Sequence, residues 1–156
     1  MLPSLAVADA LSRRGVRVTF AGGQRAEARL VREAGYPLDQ FAIEGLPRRP
    51  GAALARTLAR AAAAVPVCVT ILRRRRPDVV LGGGGYVSGP VVLAAAMLRI
   101  PAAIMEADAH LGLANRLVAP FVRRVFLAFP LPRVGDAKHQ LVGRPIPARS
   151  RASDPA

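Results

Sequence analysis

Apolar positions along the chain switch repeatedly between helical spacing and short unbroken runs. In LAVADALSRRG, Leu5, Val7, Ala8 and Leu11 recur at the spacing of one helical face, and Gly15 suits the helix stop. VRVTFAGG then predicts a strand running into glycines. QRAEARLVREAG predicts a second helix, with Leu30 and Val31 turned inward and Gly35 ending it. FAIEGL predicts a short strand and LPRRPGA a loop. From Ala52 to Arg76 the chain is rich in Ala and Arg and mostly helical, with Pro66 expected to kink or split the helix.

The second half repeats the alternation. PDVVLGGGG predicts a strand and loop, SGPVVLAAAMLRI a helix, IPAAIMEA a strand and LGLANRLVAPF a short helix. RRVFLAF and AKHQLVG predict two last strands, and PARSRASDPA reads as a polar tail. Strands alternating with helices at crossover spacing imply an α/β domain, doubly wound around a parallel sheet. In such a fold a strand and a loop precede the first helix, whereas this sequence opens on the helix.

Composition narrows the picture. With 156 residues, 52% of them apolar, the chain can bury a core, but at 4% aromatics that core is built from Ala, Val, Leu and Ile. A net charge of +13, with every basic residue except Lys138 an arginine, favours phosphate-bearing partners: nucleic acid, anionic lipid or a phosphorylated ligand. Cys68 is the only cysteine, which excludes an intramolecular disulfide and a thiolate metal cluster; it reads as buried filler. No cofactor and no metal are expected. No signal peptide is read at the N-terminus, and VVLAAAML stops at Arg99, short of the ~18 apolar residues a membrane span needs.

The candidate chemistry centres on DVVLGGGGYVSGP. Gly82, Gly83, Gly84 and Gly85 lie between a strand and a helix, where an α/β sheet binds ligands and backbone N–H groups meet the positive end of a helix dipole. Ser88 can cap or contact an oxygen, and Pro90 suits the first helical turn. The glycines fit neither GxxxxGK[ST] nor a convincing GxGxxG, so by themselves they describe an anion loop and a tight turn equally well. Glu106 ends a strand on the ligand side, as a site residue or a helix-cap partner. His110 stands before a short helix, as a general base or a surface cap. His139 reads as an edge position and Asp78 as a turn residue. Arg73 to Arg76 end the long helix, where cations favour the dipole.

Read together, GGGGYVSGP, MEADAHLGLANRLVAP, LAFP and VGRPIP, preceded by PSLAVADAL, QRAEARLVREAGYPL and RRRRPDVVLG, resemble the N-terminal domain of the peptidoglycan N-acetylglucosaminyltransferases of glycosyltransferase family 28. The likeness runs from about Leu2 to Pro147. It implies a Rossmann-like domain over residues 1–147, the N-terminal half of a two-domain GT-B enzyme, followed by a linker or tail at 148–156, with the donor domain absent. It implies transfer of N-acetylglucosamine from UDP-GlcNAc to undecaprenyl-pyrophosphoryl-MurNAc-pentapeptide, without a cofactor, at the cytoplasmic face of the bacterial membrane. Association with an anionic membrane would be peripheral, and no nucleic acid is expected as partner. Gly82, Gly83, Gly84, Gly85, Tyr86 and Ser88 would face the acceptor diphosphate; Asp108 and Arg144 would contact the UDP-sugar; Glu106 and His110 would be the catalytic candidates.

The sequence departs from the family pattern at several points. A GGTxGH-type first glycine loop is not met ahead of Leu2, which suggests a displaced gene start or a trimmed chain. MEADAHLGLAN stands where relatives carry HEQNxxxGLxN, so Met105 replaces a His and Asp108 an Asn. GRPIP replaces GNPVR, so Pro147 stands at the donor-contacting Arg, with Arg144 or Arg149 as substitute. The chain by itself is expected to show no transferase turnover.

Overall fold

A computed structural model of the chain describes residues 2–24, 26–43, 52–131 and 137–146. Among them the order is α1 (Leu2–Ser12), β1 (Phe20–Gly22), α2 (Ala26–Glu33), β2 (Leu38–Gln40), α3 (Ala52–Arg75), β3 (Val80–Gly82), α4 (Ser88–Met97), β4 (Ala102–Glu106), α5 (Leu113–Val118), a 3-10 turn (Ala119–Phe121), β5 (Arg124–Leu127) and β6 (His139–Leu141). The loop 46–52 lies largely outside the described residues, and the tail 147–156, with Pro147 and Arg149, wholly so.

Every strand pair is parallel. One sheet has the order β3-β4-β5-β6, and β1 and β2 form a second, two-stranded sheet. Parallel pairing needs crossovers, and helices supply them between β1 and β2, β3 and β4, and β4 and β5, as the alternating pattern predicts. The core is aliphatic. Val92, Ile104 and Val125, from α4, β4 and β5, are completely buried, and Cys68, Ile71 and Leu72 of α3 join them. Burial pushes the Cys68 thiol up to about 12.

Three expectations are corrected. Pro66 does not split the long helix: α3 runs unbroken through it. Pro66 and Ala62, whose carbonyl loses its helical partner to the proline, are both exposed. Thr70 Oγ1 donates to the Pro66 carbonyl at 3.1 Å. Second, the strand expected at FAIEGL falls earlier, at Leu38–Gln40; Phe41–Ile43 is not strand, and 44–46 lie outside the described residues. The carboxylate of Asp39, inside this strand, is neutralised by Arg74 at 2.5 Å and Arg75 at 2.6 Å, from the end of α3. Third, Val31 of α2 is 1% exposed, but Leu30 is 38% exposed and faces solvent; Ala28 takes the inward place, one helical turn from Val31.

Candidate functional site

Gly82 to Ser88 link β3 to α4 at the carboxyl end of the four-stranded sheet. Gly82 is packed so tightly that a Cβ there would stand 3.0 Å from Val92 and 3.1 Å from Ile104. A Cβ on Gly83 would collide with Ser4 Oγ of α1. Gly84 and Gly85 have φ of +86° and +73°, which side chains rarely adopt. Gly84 also lies against β4, where a Cβ would be 3.2 Å from the Met105 carbonyl. Thus three of the four glycines are held by neighbours, and Gly85 alone stands in open space.

The loop closes onto α4 without a side-chain cap. Val87 occupies the N-cap, and Ser88, already inside the helix, donates to the Gly85 carbonyl at 2.9 Å. Ser88 therefore pins the turn from within. Gly82 to Ser88, with Ser4 of α1 and Gly22 of β1, line a cavity of about 380 Å³. The half-buried Tyr86 is among these lining residues.

Beneath the loop is a buried polar brace. Glu106, the last residue of β4, is 6% exposed. Its Oε1 accepts from the Asp108 backbone N–H at 3.2 Å; its Oε2 accepts from the Gly112 N–H at 2.9 Å and from Asn115 Nδ2 at 3.0 Å. Gly112 is the N-cap of α5, so the carboxylate occupies the helix-cap position. Asn115, 1% exposed, also donates from Nδ2 to the Met105 carbonyl at 3.2 Å. Both its partners are pure acceptors, which fixes which way the amide points. Asn115 Oδ1 is buried and has no hydrogen-bond partner among the described residues.

The structure gathers Gly82, Gly83, Gly84, Gly85, Tyr86 and Ser88 around one cavity. It sets Glu106 directly behind them, through Met105 and Asn115. Asp108 and His110 are exposed in the turn between β4 and α5. Arg144 is exposed after β6, which β4 and β5 separate from β3 in the sheet, and does not line the cavity. Among the described residues, no group of His, Cys, Asp and Glu is arranged to hold a metal. Sequence reasoning passed over Asn115 and Ser4. A lone Asn among the apolar positions of LGLANRLVAP is the signal that marks the first; nothing local marks the second.

The chain resembles known proteins along most of its length. The description "Glycosyltransferase family 28 N-terminal domain" matches residues 1–127. The chain is similar to the UDP-N-acetylglucosamine–N-acetylmuramyl-(pentapeptide) pyrophosphoryl-undecaprenol N-acetylglucosamine transferase of Acidithiobacillus ferrooxidans, 46% identical over 94% of this chain and 40% of the relative. The protein of the same description from Mycobacterium sp. strain KMS is 44% identical over 92% of this chain and 39% of its own length. A crystal structure of Acinetobacter baumannii MurG superposes with a TM-score of 0.77 at 28% identity, covering 92% of this chain and 41% of that one. The chain therefore spans about two fifths of the length of the relatives it matches. The Rossmann-like doubly wound sheet, the N-terminal half of a GT-B enzyme, is as expected. The matched segment covers most of the chain, and the protein belongs to glycosyltransferase family 28, whose N-terminal domain it carries.

Proposed function

We propose that this chain is the acceptor-binding part of an N-acetylglucosaminyltransferase that moves N-acetylglucosamine from UDP-GlcNAc to undecaprenyl-pyrophosphoryl-MurNAc-pentapeptide. The observation that carries this reading is the loop Gly82 to Ser88. Its two left-handed glycines bring bare backbone to a cavity at the carboxyl end of a parallel sheet, at the head of a ten-residue helix. An acceptor diphosphate suits such a helix head; Tyr86 adds a hydroxyl beside it, and Ser88 holds the turn by its bond to Gly85. Relatives with this domain are described as the corresponding transferases.

In this reading Glu106 acts through the loop, by fixing the β4–α5 turn behind it, while the exposed His110 is free to meet substrate as a proton acceptor. Asp108 and Arg144, both exposed, face the UDP-sugar held by the remainder of the enzyme.

The chain's basic charge serves the same purpose. Arg73 and Arg76 lie beside a shallow apolar groove formed with Leu72, Leu98 and Ile100, and Met97 nearby is 70% exposed. Such a face suits peripheral docking on an anionic membrane at its cytoplasmic side, with each near-surface Arg contributing about 1 kcal/mol. No helix among the described residues is long and apolar enough to cross a membrane. A nucleic-acid partner is disfavoured by the shortage of aromatics for base stacking.

Co-sedimentation tests the reading. Anionic vesicles carrying the lipid-linked muramoyl-pentapeptide should bind the chain at least tenfold more tightly than the same vesicles without it. Equal binding to both, or tighter binding to random duplex DNA, overturns the proposal. Incubation with radiolabelled UDP-GlcNAc and acceptor should yield no product from residues 1–156 by themselves.

A further inference from the structure

Four successive arginines, Arg73 to Arg76, run past the end of α3, but they divide into two pairs. Arg73 and Arg76 border the groove of Leu72, Leu98 and Ile100. Neither makes an ion pair with a described residue. Arg74 and Arg75 are drawn instead to one carboxylate, that of Asp39 in β2, whose side chain is 10% exposed. The two hold it unequally. Arg75 donates from Nε to Oδ2 at 2.6 Å and from a terminal nitrogen to Oδ1 at 3.2 Å, a two-pronged grip. Arg74 donates once, at 2.5 Å, to the same Oδ1. Arg74 is also the more open of the two, its side chain 64% exposed against 36%. It continues the exposed face of α3 formed by Pro66, Val67, Thr70 and Arg73. Arg75 by itself suffices to neutralise Asp39 and to strap β2 to α3. Arg74 adds a solvent-accessible bond, and exposed ion pairs of that kind are weak.

We infer that Arg74 is a docking arginine held in reserve by Asp39. An anionic phospholipid surface that meets Arg73 and Arg76 competes with Asp39 for Arg74. The Arg74 side chain then moves from the carboxylate to a lipid phosphate, while Arg75 keeps the strap closed. The Asp39–Arg74 contact is thus autoinhibitory: it lowers the affinity of this face for anions until a surface of sufficient charge density outbids one carboxylate. Guanidiniums rimming an apolar groove match a phospholipid, which carries its phosphate above an acyl chain. The inference rests on the reading that this face docks on an anionic membrane, and it adds the residue that Asp39 withholds from that docking.

The test uses the full chain and vesicles of phosphatidylglycerol and phosphatidylcholine in equal parts, with affinity read by co-sedimentation. Asp39→Asn should bind about fivefold more tightly than the wild type, the share of one near-surface arginine. In an Arg74→Gln background the same substitution should change affinity by less than about twofold. Glu33→Gln also removes one negative charge, but it frees Arg29 of α2, and it too should change affinity by less than about twofold. A gain that persists without Arg74, an equal gain from Glu33→Gln, or no gain from Asp39→Asn overturns the inference and leaves the docking reading intact. Absence of binding by the wild type overturns both. A gain seen with random duplex DNA but not with vesicles also overturns the inference. Should Asp39→Asn misfold, NMR of the wild type decides. Short-chain phosphatidylglycerol should move the Arg74 side-chain Nε–H signal and leave that of Arg75 in place, and any other pattern overturns the inference.

Discussion

Asn115 Nδ2 of α5 lies 3.0 Å from Glu106 Oε2 of β4, and both residues are buried directly behind the glycine loop. This contact ties a helix start, a strand end and the loop Gly82 to Ser88 into one unit. Replacing Asn115 by Ala removes a donor from a buried carboxylate and from the Met105 carbonyl together. The expected loss is about 2–3 kcal/mol of stability, read from the urea midpoint. Asn115→Asp should cost more, since it sets two carboxylates about 3 Å apart. A neutral Asn115→Ala would show that the brace is incidental.

Gly84 and Gly85 should respond differently to alanine. Both residues have positive φ, but only Gly84 has backbone, the Met105 carbonyl, in the way of a Cβ. Gly85→Ala should cost about 1 kcal/mol and Gly84→Ala about 3 kcal/mol. Thermal unfolding of the two variants provides the comparison, and a reversed order would contradict the loop geometry.

Asp39 predicts a pH dependence. The Arg75 hydrogen bond, reinforced by the charges of Arg75 and Arg74, holds its carboxyl below the usual carboxylate range, although burial opposes them. A folded pKa below the unfolded one stabilises the protein in full above the unfolded value, about 3.9. That contribution is lost as pH falls through the folded value. Stability of the wild type should therefore fall faster than that of Asp39→Asn below about pH 4. At neutral pH the variant should be about 1 kcal/mol less stable, as expected for an ion pair partly open to solvent. Parallel urea titrations at pH 3 and pH 7 measure both, and identical pH profiles would refute the role.

Cys68 should resist alkylation. With its thiol pushed up to about 12 and its side chain buried, on the order of one thiol in 10⁴ is ionised at pH 8. Iodoacetamide should label the native chain at least a hundredfold more slowly than the urea-unfolded one. Rapid native labelling would mean that α3 opens away from the core.

Much of the fold is legible in the sequence because strand and helix periods differ sharply. The helix expected at SGPVVLAAAMLRI and the strands expected at IPAAIMEA and RRVFLAF supply Val92, Ile104 and Val125. The strand at Leu38–Gln40 is not legible locally, because the arginines that neutralise its Asp39 come from 35 and 36 residues away. Pro66 misled because its cost depends on whether the freed carbonyl faces water. The glycine loop was legible as a position and as a family motif. Its polar support was less so: Glu106 stands out at a strand end, whereas the bond that Asn115 makes to it joins residues nine apart on separate elements, which no local pattern contains.

The decisive measurement is an amide NMR titration of the chain with a short-chain prenyl diphosphate. Acceptor binding at the glycine loop predicts saturable shifts clustered at Gly83 to Val87, with affinity reduced at least tenfold in Gly85→Ala. Shifts that fall instead on Arg73 to Arg76 and persist unchanged in Gly85→Ala would contradict it, as would no shifts at all.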